Sequence, residues 1–277
     1  MKRKVKFVSV ISEKGGVGKT TTIFNLAGAL TIRHNKKVLV VDFDPQQNLS
    51  QSFGYAADKN KTVAELIKNE LEPFPIMNDY DYEHLIRHSD FGVDFIPALI
   101  KSINQLPMLI TDEDIFAVKK AFNHKIFDDY DYVFFDCKNS LNGYLTPLIL
   151  TASDYVISPT ECGQYSFYGI PPVINLIESI KNRTNADLNF LGIIVNKRAS
   201  NIAISSTVND AIENGYKDYL FQTFIPYRLS QIENAVHSQK PCVIAKDKHR
   251  KANTLADFYS SLSDEFIERI EYVERGV

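Results

Sequence analysis

Cysteine is scarce in this chain. Three occur among 277 residues, Cys137, Cys162 and Cys242, odd in number and far apart. That spacing excludes a disulfide framework and points to a reducing compartment. Long apolar runs are missing too. No stretch approaches the ~18 apolar residues of a membrane-spanning helix. The basic head "MKRK" leads into an apolar run too short for a secretory signal, with no small-residue cleavage site. Nor does charge of one sign dominate. In all, 31 Lys and Arg stand against 34 Asp and Glu, a net charge of −3, so any contact with nucleic acid or lipid has to come from a local patch. Internal repeats, low-complexity tracts and Pro/Gly/Ser-rich linkers are absent. The expectation is a cytoplasmic protein with one domain over residues 1–277, and a hydrophobic fraction of 44% supports a real core.

What the chain does have is alternation. Short apolar runs recur at 5–11, 38–42, 93–97, 132–136, 155–159, 190–196 and 221–226. Most are continuous rather than alternating, the pattern of strands buried on both faces of a parallel sheet. Helical patterns lie between them. Ile23, Leu26, Ala27 and Leu30 share one face at i, i+3, i+4, i+7 spacing. "TDEDIFAVKKAF" opens with Thr111 as an N-cap followed by acids. "PPVINLIESIKN" carries prolines where a helix start tolerates them. "SSTVNDAIENG" offers serine caps and Gly215 as a stop. A final stripe runs through Leu255, Phe258, Tyr259, Leu262, Phe266 and Ile270. Strand then helix, repeated, predicts an α/β fold with a doubly wound, mostly parallel sheet flanked by helices. Residues 55–90 read as an irregular surface excursion.

"SEKGGVGKTTT", residues 12–22, joins the first strand to the first helix. Glycines there let backbone N–H groups approach an anion, and the helix N-terminus adds partial positive charge. In this context Gly15, Gly16, Val17, Gly18, Lys19, Thr20 and Thr21 form a phosphate-binding loop of the P-loop NTPase type. Lys19 can reach the β- and γ-phosphates of a nucleotide, and the Thr20 hydroxyl can ligate Mg2+. A second lysine, Lys14, precedes the glycines. Taken alone it is a loop charge.

The order K-G-G-V-G-K-T-T resembles the deviant Walker A loop of the ParA/MinD family of ATPases, and the resemblance runs through nearly the whole chain. It implies that Lys14 crosses a dimer interface to the partner's nucleotide while Lys19 serves its own. "VLVVDFDPQQN" is similar to the family's D-x-D-P-Q-x-N box. There Asp42 belongs near the Mg2+ shell, and Asp44 positions the attacking water, which phosphoryl transfer needs more than a strong base. "YDYVFFD" fits a Walker B strand with Asp136 at the metal. The family usually continues D-x-P-P-S, and this chain departs from it with Cys137, Lys138 and Asn139. Asn196 after "GIIV" and Pro226 in "TFIP" are ordinary strand-end residues by themselves. The resemblance implies adenine contacts at both, and an Asn amide can offer a donor and an acceptor to a base.

The other constellations are plainer. His84 and His88 have i, i+4 spacing but no further ligands at metal-site spacing, and read as exposed helix histidines. Cys137 reads as a buried, inert thiol. "KPCVIAKDKHRK" holds Lys240, Lys246, Lys248, Arg250 and Lys251 against one acid. By charge alone it is a solvated loop or an anion-binding patch; the resemblance implies DNA.

The implied function is a weak, partner-stimulated, Mg2+-dependent ATP hydrolase of the short ParA type. It would lack an N-terminal helix-turn-helix domain, because the phosphate loop begins at residue 14. It would dimerise on ATP, bind duplex DNA without sequence preference on the nucleoid, and answer to a ParB-like centromere-binding protein in plasmid or chromosome partition. The alternative is a cargo- or membrane-positioning ATPase of the same fold, MinD-like. The acidic ending "SDEFIERIEYVERGV" disfavours the membrane version, because anionic lipid would repel it.

Overall fold

The continuous apolar runs become strands whose successive side chains enter two different cores. In the computed structural model, which describes residues 5–55, 61–74, 76–77, 79–138, 141, 143–162, 167–197, 211, 215–244 and 254–276, seven strands form one sheet. They are β1 (Lys6–Val10), β2 (Val38–Asp42), β3 (Arg87–His88), β4 (Val93–Ile96), β5 (Tyr132–Asp136), β6 (Tyr155–Glu161) and β7 (Asn189–Asn196). Their order is β3-β4-β2-β5-β1-β6-β7. Only the short edge strand β3 runs antiparallel to its neighbour.

Leu39, Val41, Val133 and Phe135 face one core, under α3 (Val63–Leu71), α5 (Ile100–Leu109), α6 (Ala117–Ala121), α7 (Leu145–Thr151) and α8 (Ile170–Arg183). Val8, Val10, Val38, Val40 and Phe134 face the other, under α1 (Lys19–His34), the short α2 (Asn48–Ser52) and the long last helix, Leu255–Glu274. That is why the runs show no alternation: both faces of the sheet are covered. The expected stripes are the ones buried. Ile23, Leu26, Ala27 and Leu30 of α1 meet Leu255, Tyr259, Leu262, Phe266 and Ile270 of the last helix in one core. Each such large side chain stabilises the fold by roughly 1.5–3 kcal/mol.

Three stretches depart from the sequence reading. Residues 111–122 form not one helix but a 3-10 turn at Asp112–Asp114 and then α6. Asp114 turns back to accept from both the N–H and the hydroxyl of Thr111, which completes a one-turn capping box. The 55–90 region is more ordered than expected. Thr62 and Glu65 cap α3 reciprocally, and α4 (Asp79–Glu83) and β3 follow. The run 221–226 is not a strand. It touches β7 through an Ile193–Leu220 bridge and through Phe221 N and Ile225 N, which donate to Ile193 O and Val195 O. The intervening N–H groups of Gln222 and Thr223 donate instead to the Glu265 carboxylate of the last helix, at 2.7 and 2.9 Å. Of the helix expected in 205–215, only Ala211 and Gly215 lie within the described residues.

Candidate active site

Parallel strands bring their C-terminal ends to one edge, and the sheet order puts β1 and β2 on either side of β5. Val10 and Asp42 are both in register with Asp136. A phosphate loop leaving β1 therefore opens beside two carboxylates. Gly18 caps α1 in the left-handed region, with φ 92°. A Cβ there would also lie 2.9 Å from Asn196 Nδ2, so the position excludes a side chain twice over. The first turn of α1 has no acid and no side-chain cap, which leaves its N–H groups to an anion. Gly15, Gly16 and Lys14 are exposed, Gly18, Thr20 and Thr21 half-buried, Val17 and Lys19 buried. The Lys14 stem passes the turn into α8, where a Cβ on Gly169 would lie 3.9 Å from its Cγ.

Thr20 Oγ1 donates to Asp136 Oδ2 at 2.7 Å. Asp136 is fully buried, and its Oδ1 has no hydrogen-bond partner among the described residues. Burial pushes the Asp136 carboxyl up to about 8, and the neighbouring Asp42 charge adds to this against the Thr20 hydrogen bond and Lys19. Burial lowers the Lys19 ammonium below its ordinary value, and the nearby charges of Asp136 and Asp44 oppose the shift. A hydroxyl, a buried carboxylate with an idle oxygen and a loop of open N–H groups fit a hydrated Mg2+ on a nucleotide phosphate.

Asp42 is engaged differently. Its Oδ1 accepts from Asp44 N at 3.0 Å, and its Oδ2 accepts from both the N–H (2.9 Å) and the hydroxyl (2.6 Å) of Ser50. Burial raises its pKa to about 6 against these hydrogen bonds. Ser50 Oγ in turn accepts from Ala98 N at 3.0 Å, and Gln47 Nε2 donates to Ala98 O at 2.8 Å. Asp42 thus fastens the loop that carries Asp44 to its own strand end and to the end of β4. Asp44 is buried, and its Oδ1 accepts from Gln46 N at 2.9 Å. Sequence reasoning missed Ser50, which stands eight residues after Asp42 and two past the end of the D-x-D-P-Q-x-N box. Ser50→Ala should cost about 1–3 kcal/mol, because Asp42 loses a bond and the buried Ala98 N–H loses its acceptor. Urea unfolding of the variant beside wild type measures it.

Asn196 ends β7 beneath the loop. Its Nδ2 donates to Val17 O at 2.9 Å and to Thr22 Oγ1 at 3.0 Å, which uses both amide protons. Its Oδ1 is buried with no partner among the described residues. Pro226, buried, follows directly on the Ile225 N to Val195 O bond, so it lies at the same strand end. Cys137 is buried, and burial raises its thiol pKa. Lys138 is exposed, while Asn139 lies outside the described residues. Lys240 is exposed. The next two residues are clamped to α1, where Cys242 N donates to Asn25 Oδ1 at 2.7 Å and Pro241 packs where a Cβ on Gly28 would stand. Lys246, Lys248, Arg250 and Lys251 lie outside the described residues.

Residues 5–190 match the family model described as an AAA domain. The sporulation initiation inhibitor protein Soj of Bacillus subtilis is 30% identical over 254 residues, 91% of this chain and 96% of that protein. The chain belongs to the ParA/MinD family of ATPases. The chromosome partitioning protein ParA of Myxococcus xanthus is 27% identical, over 95% of this chain and 88% of its own length. Among solved structures, a cobyrinic acid a,c-diamide synthase from Mycobacterium smegmatis with a bound ATP analogue and magnesium superposes with a TM-score of 0.74. It is 28% identical and covers 94% of this chain and 93% of its own. Among ParA/MinD ATPases this chain is ParA-like. No helix among its described residues is long and apolar enough to cross a membrane.

Proposed function

We propose that this protein is a Mg2+-dependent ATPase of the ParA type, which dimerises on ATP, binds duplex DNA without sequence preference and releases it when a centromere-binding partner stimulates hydrolysis. The observation that carries the nucleotide half is the Thr20–Asp136 bond at the end of β5, with Asp136 Oδ1 left over beside an uncapped helix. Thr20 and Asp136 would hold the metal and its waters. Mg2+, when bound, would supply positive charge that offsets the charge on the transferring phosphoryl group.

The protein groups have separate tasks. The Gly15–Thr21 backbone cradles the phosphates, and Lys19 neutralises charge on the leaving oxygen. Asp44 orients the attacking water, and Asp42 holds Asp44's loop through three accepted hydrogen bonds while it stands beside the metal shell. Asn196 Oδ1, an acceptor, suits the amino group that adenine carries and guanine replaces with a carbonyl. Lys14 reaches the neighbouring subunit's nucleotide. A nucleoid location follows from DNA binding by the ATP-bound dimer.

Sequence relatives named for partition support the DNA half. The synthase likeness bears on the shared phosphate machinery, since one fold hosts several chemistries. The candidate DNA surface is Lys240, Lys246, Lys248, Arg250 and Lys251. Its entry segment, Pro241–Cys242, is anchored on the helix that begins at the phosphate loop, which gives nucleotide state a physical route to the basic stretch. Each phosphate contact contributes about −0.9 to the slope of log K against log salt. The combined variant K246A, K248A, R250A should therefore bind duplex DNA more weakly with a flatter salt slope, and keep ATP binding. Fluorescence anisotropy across a salt series, with and without Mg·ATP, is the test. An unchanged slope would place the DNA surface elsewhere, and ATP-independent or absent binding by wild type would remove the partition reading.

A further inference from the structure

Arg269 and Glu265 of the last helix act on the segment that leads to Pro226. The Arg269 guanidinium donates to Leu191 O at 3.0 Å and also to Leu220 O, lies 4.2 Å from the Phe221 ring centroid, and donates through Nε to Glu265 Oε1 at 3.2 Å. Glu265 accepts the Gln222 and Thr223 N–H groups. One ion pair thus takes a carbonyl from β7, a carbonyl from the neighbouring segment, and the N–H groups of Gln222 and Thr223, of which only Thr223 N alternates with Phe221 N and Ile225 N on the side of β7.

Gly192 makes the room. Its φ is +145°, and a Cβ would stand 2.3 Å from Tyr219 O and 2.9 Å from Arg269 Nη1. A glycine inside a strand marks such a close approach of another group. The consequence is local. Between Phe221 N and Ile225 N, both bonded to β7, the chain leaves the sheet to meet Glu265 and returns in time to set Pro226 at the end of β7. Both ends of that excursion, and its height above the strand, are set from outside the sheet. Asn196, the other base-side residue, is held by Val17 of the phosphate loop and Thr22 of α1 and not by the pair.

We infer that the Arg269–Glu265 pair is a positioning device for base selection: it holds the Gln222–Pro226 backbone at the height at which it lines the adenine side of the nucleotide site. The inference presupposes the adenine reading of Asn196 and Pro226. Neither residue of the pair touches nucleotide. Their effect passes through the backbone, so it falls on the base and not on the phosphates.

The test is competition binding on the full chain with Mg·ATP, Mg·GTP and inorganic tripolyphosphate. The variants are Arg269→Lys, which keeps the charge and loses the planar fork, and Glu265→Gln, which keeps the shape and leaves one N–H without its acceptor. Circular dichroism monitors folding, so either variant serves if the other fails to fold. The expected result is unchanged tripolyphosphate binding, with ATP affinity and the ATP-over-GTP preference both falling about tenfold, the equivalent of one hydrogen bond to the base. Equal losses for ATP, GTP and tripolyphosphate, or an unchanged preference in folded variants of a wild type that does prefer ATP, would make the pair a structural clamp and overturn the inference. A wild type that binds ATP no better than GTP would instead overturn the adenine reading and the inference with it.

Discussion

Lys19→Ala is expected to abolish the stabilisation of this protein by Mg·ATP. A ligand bound only by the folded state stabilises it by mass action, by about 2.7 kcal/mol at a hundredfold excess over Kd. Lys19 is the one lysine of the loop buried at its helix end, 5% exposed. Its ammonium is desolvated there and held among Asp136 and Asp44. Burying a charge in that position is costly unless an opposite charge meets it, and the triphosphate brings that charge. Removing Lys19 leaves the phosphates near Asp42, Asp44 and Asp136 with no other buried cation among the described residues. The comparison is each protein with and without nucleotide, so any change in the unliganded fold cancels. Differential scanning fluorimetry reads it directly. A wild-type midpoint unmoved by millimolar Mg·ATP would end the ATPase reading.

Asp44→Ala and Lys14→Ala are expected to fail in opposite ways. Asp44 Oδ1 is engaged by Gln46 N, which fixes the carboxylate and leaves Oδ2 as the oxygen to orient a water. Its removal should slow hydrolysis by roughly a hundredfold or more, within the range for positioned acid–base groups, while ATP still binds and still dimerises the protein. Lys14 is exposed, with its stem along the turn into α8, and on the proposed reading its ammonium serves the partner subunit's nucleotide. Lys14→Ala should retain much of the ATP binding and lose ATP-dependent dimerisation, with hydrolysis lost alongside. Light scattering with ATP, read against phosphate release, separates the two. A Lys14→Ala variant that dimerises and turns over like wild type would show that this lysine does not act in trans.

The phosphate loop, the carboxylates after β2 and β5, and the apolar faces of α1 and the last helix were legible because each is written in local spacing. A period of 3.6 buries one stripe, and glycine, lysine and threonine at fixed offsets build an anion site wherever a strand precedes them. Residues 111–122 misled for a local reason too: Thr111 reads as a good helix cap, yet Asp114 closes the capping box within a single turn.

Other assignments depended on partners far away in the chain. By sequence, Asp42 is a candidate metal carboxylate. Its hydrogen bonds to Ser50, and the bond from Ala98 to Ser50, also make it the anchor of a loop, a task that the spacing does not record. The run "FQTFIP" has the composition of a strand, but a carboxylate from the last helix takes Thr223 N, the N–H that would continue the ladder between Phe221 and Ile225, together with Gln222 N. Gly192 looks like a weak point of β7 until Arg269 occupies the space it leaves. The sequence by itself determined the sheet, the phosphate loop and which residue types stand at the site. The tertiary structure alone decided which carboxylate oxygens stay idle and which strand edges stay unpaired, because a hydrogen-bonding group is committed by whatever the fold brings within 3 Å of it, and no spacing along the chain records that distance.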